Sequence, residues 1–491
     1  DTRDLMAGAN VEIRLISNSS ANRGFFTIPE GSATSSVNTS LDYTVQLFED
    51  RRHWAPAAAA PLGAAGSWIE QAEPDAVSWA VFNSEAARTL ALTLPGDRTW
   101  RGLIVDGERL DLNLDGHTLT LGNAGPSLKT YSLRVGEGRF SASAITLRNG
   151  TVLASNDVLV GGVFGARGPG ATLTLDAGAV LDQSLDLGLG SVLVGDLGPG
   201  ALVVRGGSRL TTNVLALARK APVEGDPLRS TLDISGAGSQ VDATLVSLAD
   251  HGDATATVTA GGVVDATGAD ILVDDGGRLT VTGSGSRLFG FSTLRVNGQL
   301  TVNFGSTLEG GTLGLSRDSA LQGTGTIQVS KQFTAEGQIK PGNSPGLLRI
   351  EGNLVLTDSA ELVLEVAGTT AVTDYDVLKV TGNLTLGGGH VNLAFIDGFA
   401  PRQGQQFVLL DVGGAFQNSA TIDVTGLEAG WLFDTAYDLA TGKLTLHSLS
   451  DGVSAVPEPA GWALWGAGGL VGWLMRRRVR AFACAEGARR T

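Results

Sequence analysis

A single cysteine, Cys484, stands in 491 residues, which excludes a disulfide framework within the chain and any cysteine-built metal centre. Histidine is almost as scarce. The five residues at 53, 117, 251, 390 and 447 have no partner at i+2 or i+4, so each reads as a turn or surface residue rather than a metal ligand. Charged residues make up only 17% of the chain, and the net charge is −15. Lysine and arginine cluster nowhere except near the C-terminus, so a phosphate-neutralising surface, and with it a nucleic-acid partner, is not expected. Aromatic residues are few at 6%, and no stretch of the body carries a helical period. Apolar content is an ordinary 42%, so the chain is not of the disordered class.

Glycine is abundant instead: 69 residues, about twice the usual share. From about 85 to 345 short alternating runs are separated by glycine, as in Thr89-Leu90-Ala91-Leu92-Thr93-Leu94 and Thr118-Leu119-Thr120-Leu121. Period-two alternation is the pattern of half-buried strands. The runs form an imperfect repeat of strand, glycine turn, small or polar pair, aliphatic. Examples are Leu202-Val203-Val204-Arg205-Gly206-Gly207-Ser208-Arg209-Leu210 and Leu279-Thr280-Val281-Thr282-Gly283-Ser284-Gly285-Ser286-Arg287-Leu288. Landmark aliphatics fall at 181, 210, 241, 264, 288 and 308, intervals of 29, 31, 23, 24 and 20 residues. That spacing predicts the coils of a β-solenoid, because propeller blades repeat at about 40 residues or more. An array of β-sandwiches is the rival architecture. Ahead of the repeats, Glu12 to Ile16 and Tyr43 to Phe48 read as strands, and Ala55 to Ala65 as a linker.

The C-terminal end has a different character. Val456-Pro457-Glu458-Pro459 is followed by an uncharged run from Ala460 to Met475 and then by Arg476, Arg477 and Arg478. The 16 residues of the run predict a helix about 24 Å long at roughly 1.5 Å per residue. The arginine stems extend such a segment to the interface of a bilayer whose core is about 30 Å thick. Basic residues after the span predict a cytoplasmic C-terminal end, with the body on the other side.

This order resembles the PEP-CTERM sorting signal of exported proteins from Gram-negative bacteria. The resemblance implies recognition by an exosortase in the inner membrane, then delivery to the cell surface or exopolysaccharide matrix. Val479 to Thr491 makes a longer tail than that family usually shows. Export also calls for a leader, and Asp1-Thr2-Arg3-Asp4 is not one, so the natural start is expected to lie upstream.

Further segments resemble the β-helix passengers of autotransporters. Trp79 to Leu121 looks like their opening coils, and Lys340-Pro341-Gly342-Asn343-Ser344-Pro345-Gly346 with Gly352-Asn353-Leu354 looks like their closing motif. Tyr375-Asp376-Val377-Leu378-Lys379-Val380, Gly398-Phe399-Ala400-Pro401 and Gly404-Gln405-Gln406-Phe407 look like the strand-rich part that follows. The expected fold is therefore all-β. It comprises an N-terminal segment over 1–78, a right-handed parallel β-helix over 79–345 and a C-terminal β cap over 346–450. A sorting signal with one transmembrane helix follows over 451–480, then a cytoplasmic tail over 481–491.

The candidate chemistry is sparse. Asp274-Asp275 is the one adjacent acidic pair on a repeat face that could serve as acid and base, but Asp-Asp-Gly-Gly is also an ordinary turn. Asp374 and Asp376 flank Tyr375 and are expected to face solvent or edge a strand. Gly136-Glu137-Gly138 and Gly323-Thr324-Gly325 complete no phosphate-binding loop. The expectation is a protein without catalytic residues, metal or cofactor, acting in adhesion or exopolysaccharide organisation. The alternative is a secreted lyase or glycosidase on the same scaffold.

Overall fold

The computed structural model describes residues 13–17, 43–47 and 50–452, the last with gaps at 56–59, 85–87, 123–130, 137–141, 163–169, 184–189, 197, 220–228 and 344. Almost all of its regular structure is β. Fourteen strands form one sheet and twenty-five another, and parallel pairing dominates both. Among the described residues the helical structure is one short 3-10 turn at Ala65–Ser67. No helix among them is long and apolar enough to cross a membrane. The expected span 460–475, the motif Val456–Pro459 and the cluster Arg476–Arg478 lie outside the described residues.

The strands stack as three parallel ladders, visited by the chain in a fixed order. The first ladder is the fourteen-stranded sheet, from Thr89–Thr93 to Thr421–Thr425. In it Leu90 pairs with Leu110, Leu110 with Ile145, Ile145 with Leu173, and Leu173 with Leu202. The same row continues through Leu300, Leu321, Ile339, Leu362 and Val391 to Ile422. The landmark aliphatics of the repeat make a row of the second ladder. Leu181 pairs with Leu210, then Val241, Val264, Leu288 and Leu308, each directly on the next. The third ladder carries Val192, Leu215, Val246, Ile271 and Leu294 in the same way. Single strands such as Arg209–Leu217 and Thr326–Ala335 span both of these ladders, which makes them one sheet.

The rows face inward and merge into one continuous core. Burying each Leu or Val is worth about 1.5–3 kcal/mol, so every added strand extends the core by a similar increment. The pairing crosses Lys340–Gly346 without interruption, since Gln338–Pro341 and Leu347–Glu351 both continue their ladders.

Among the described residues the aromatic ring pairs lie toward the two ends, while Phe291 and Phe333 are buried singly between them. Near the start, Trp54, Trp68, Phe82 and Trp100 pack edge-on or tilted at centroid distances of 5.2–6.3 Å. Trp68 donates its ring N–H to the Leu62 carbonyl at 2.9 Å. Here parallel pairing already begins with Arg51–His53 on Trp79–Val81. Near the finish, Phe395 packs on Phe407 and Phe433 at 6.2 and 5.5 Å. Beside them Lys443–Ser448 pairs antiparallel with both Phe433–Asp438 and Gln406–Val412. This hairpin occupies the last edge of the second ladder, whose N–H and C=O groups would otherwise stand open.

The repeat's serines have a definite job. Ser208, Ser239 and Ser286 are fully buried. Their hydroxyls accept the backbone N–H groups of Ala179, Gly207 and Gly261, each at 3.1 Å and 25 to 32 residues earlier. Each serine thus fastens its own corner to the one before. Asparagine does the same later: Asn353 Oδ1 accepts the Asn383 N–H, and Asn383 Oδ1 accepts the Ala415 N–H, both at 2.9 Å.

Candidate functional site

Three of the segments singled out in the sequence, around Lys340–Gly346, Tyr375–Val380 and Gly404–Phe407, come together around Asp376. The loop after Gln338–Pro341 turns through Gly342 at φ +99° and returns at Gly346. Asp376 reaches into that turn: its Oδ1 accepts the Gly346 N–H at 2.7 Å. Its Oδ2 accepts the Glu365 N–H at 2.8 Å, and its own N–H donates to the Glu365 carbonyl at 2.9 Å. A Cβ on residue 342 would sit 2.3 Å from Asp376 Oδ1, so only glycine fits. Next door, the Tyr375 hydroxyl accepts the Val408 N–H at 3.2 Å, and its ring meets Phe407 edge-on at 5.4 Å. Lys340–Gly346, Tyr375–Val380 and Gly404–Phe407 are therefore one locked junction.

Asp376 is 1% exposed. The sequence reading placed it, like Asp374, either toward solvent or edging a strand; Asp376 does edge the strand that begins at Val377, but it is buried rather than solvent-facing. The strand begins only at Val377, so two-residue alternation does not govern Asp374 and Asp376. Asp374 lies in an exposed turn and accepts the Thr370 N–H at 2.9 Å, which holds its carboxyl below the usual range. For Asp376, burial pushes the carboxyl up to about 7, and the neighbouring Glu365 adds to the rise. The two N–H bonds and the Lys340 ammonium oppose it. Lys340 Nζ lies 3.8 Å from Glu365 Oε1.

A raised carboxyl, a second carboxylate and a lysine are the ingredients of acid–base chemistry. In this junction, however, both oxygens of Asp376 are engaged by backbone N–H groups and the side chain is closed off from solvent. What the arrangement does chemically is satisfy buried backbone donors and fix a turn.

The other sequence candidates are dispersed. Asp274 accepts an N–H from the Asn297 side chain at 2.8 Å, and its carbonyl closes the turn to the Gly277 N–H at 2.7 Å. Asp275 is exposed at the tip of that turn. His53, His117, His251 and His390 each sit beside a single acid, Glu70, Asp97, Asp250 and Asp423 respectively. Among the described residues no group of three or more His, Cys, Asp or Glu could hold a metal ion.

One group escaped the sequence reading. The Glu108 carboxylate is fully buried against Arg88, and burial raises its carboxyl despite the guanidinium. A signal for it existed. Arg88 and Glu108 directly precede Thr89 and Arg109, which are in register, so the ladder makes the pair neighbours.

Among the described residues, two grooves indent the surface at places the fold makes distinct. One, of about 530 Å³, lies at the C-terminal end between Ile422–Leu427 and Trp431–Thr435. The other, of about 440 Å³, crosses the outer face of the first ladder between Arg109 and Arg229. Compared with protein-family models and with curated protein sequences, the chain matches none.

Proposed function

We propose that this chain is a non-enzymatic exported protein of the cell surface or extracellular matrix. Its body is a right-handed parallel β-helix closed by a C-terminal β cap, and a single transmembrane helix follows. An exosortase of the inner membrane is its processing partner and extracellular polysaccharide its surroundings, with adhesion or matrix organisation as its role. The observation that carries the reading is the C-terminal order of Val456-Pro457-Glu458-Pro459, an uncharged span from 460 to 475, and Arg476, Arg477 and Arg478. This order resembles the PEP-CTERM signal.

The three ladders support the body's part in it. Second, third and first ladder follow one another repeatedly along the chain, as the circuits of a β-helix do. Parallel strand crossovers are right-handed in about 98% of cases, which gives the hand. Fourteen strands at about 4.8 Å each make a stalk about 60 Å long, a form suited to holding a surface away from a membrane.

The test is replacement of Pro457, Glu458 and Pro459 by alanine in the exporting host. We expect the altered protein to stay in the inner membrane with its apolar segment attached. An altered protein that is still trimmed and reaches the surface overturns the sorting assignment.

A further inference from the structure

We propose that the groove on the outer face of the first ladder binds a linear carboxylated polysaccharide laid along the stacking direction of the strands. The proposal rests on the matrix reading above and deepens it by naming the class of ligand and the surface that meets it. The groove has a regular construction. Arg109 is in register with Ala144, Ala144 with Thr172, Thr172 with Ala201, and Ala201 with Thr231. The next residue of each strand, from Leu110 to Leu232, is buried, so this row points outward. Its floor is therefore made of methyl groups and hydroxyls across five strands, with a guanidinium at each end. Arg229, two residues before Thr231, supplies the second one.

The two arginines differ from others on the same sheet. Arg148 bridges Asp111 and Asp176, and Arg205 also reaches Asp176, all at 2.8–3.1 Å. Arg109 and Arg229 are exposed and make no ion pair or side-chain hydrogen bond with any described residue. Asp253, the in-register neighbour of Arg229, forms no ion pair with it. On a chain of net charge −15, two such guanidiniums framing one groove are a local exception. A guanidinium matches a carboxylate in two-point geometry, which fixes the sign and shape of the ligand's groups.

Spacing decides between a small anion and a chain. Four strand steps at about 4.8 Å put the two arginine-bearing strands about 19 Å apart, too far for one carboxylate or phosphate to span. An extended polymer with regularly placed carboxylates spans it. A flat floor of alternating methyls and hydroxyls suits sugar rings, which present C–H faces and hydroxyl edges together.

The experiment titrates the full-length chain with oligogalacturonates of increasing length, with uncharged dextran oligomers, with polyglutamate and with inorganic phosphate. We expect binding to the longer oligogalacturonates, weakened by salt, and little to dextran. The Arg109→Ala, Arg229→Ala double variant is expected to lose about tenfold or more in affinity, as loss of two charge-assisted contacts requires. Ala201→Trp, which fills the floor without altering charge, should weaken binding as much, and Arg317→Ala on a distant turn should leave it unchanged. Undiminished binding in both groove variants overturns the proposal while the export reading, tested through its tail, stands. Absence of binding to every oligogalacturonate, full competition by phosphate, or equal affinity for polyglutamate also overturns it.

Discussion

Asp376 Oδ1 accepts the backbone N–H of Gly346 at 2.7 Å, tying residues thirty positions apart into one turn. Its other oxygen holds the Glu365 N–H, so one carboxyl satisfies a donor in the turn before Leu347–Glu351 and another in the strand Glu361–Val366. Replacing it by alanine leaves both N–H groups without an acceptor, at about 1–3 kcal/mol each. Asp376→Ala should therefore lower the denaturation midpoint clearly, and Asp376→Asn, which keeps one acceptor, should lower it less. Urea unfolding followed by far-UV circular dichroism checks this, and equal midpoints for all three proteins would contradict it.

The same residue predicts a pH dependence. Its folded value is near 7 and its unfolded value near 3.8, so the folded state holds the proton more tightly. The stability that this group contributes is then fully present below the unfolded value and is lost as pH rises through the folded one. The advantage of the natural protein over Asp376→Asn should accordingly shrink between about pH 4 and pH 8. Midpoints measured for both proteins across that range decide the sign. An advantage that grows with pH would mean that the two N–H bonds outweigh burial.

Two glycines separate strain from collision. Gly342 and Gly207 both have positive φ, at +99° and +74°. A Cβ at Gly342 meets Asp376 Oδ1 at 2.3 Å, whereas one at Gly207 meets nothing within 4 Å. Gly207→Ala should incur only the left-handed backbone penalty of about 1–2 kcal/mol. Gly342→Ala should add displacement of a buried carboxyl and unfold at distinctly lower denaturant. Similar losses at both positions would show that the Asp376 junction yields easily.

These contrasts mark what the amino-acid pattern could reveal. The row from Leu181 to Leu308 was legible because the chain pairs with itself one repeat later, so an aliphatic at each landmark lands on the next. Strand existence followed from alternation, which needs only local sequence. The burial of Asp376 was not legible because its environment is set by Gly346 and Glu365, not by its neighbours in sequence. Arg88 and Glu108 drew no reading from the sequence, because only the ladder register brings two residues twenty positions apart side by side. The pairing of aromatic rings near the two ends was equally hidden, since it depends on contacts between residues far apart in the chain.

The corner serines offer the sharpest test of how the ladders are fastened. Ser239 is fully buried and accepts the Gly207 N–H at 3.1 Å from the preceding corner. Ser286 does the same for Gly261. Serine to alanine changes volume by one oxygen and removes the acceptor of a half-buried N–H, so each substitution should lower stability by about 0.5–1.5 kcal/mol. The loss should be local in kind: amide exchange should speed up first at Gly207 for Ser239→Ala and at Gly261 for Ser286→Ala. Ser284→Ala, on the exposed side of the same corner as Ser286, is the control and should change neither exchange nor midpoint. If Ser239→Ala leaves Gly207 protected, the hydroxyl is dispensable and the stacked aliphatic rows alone hold successive corners in register.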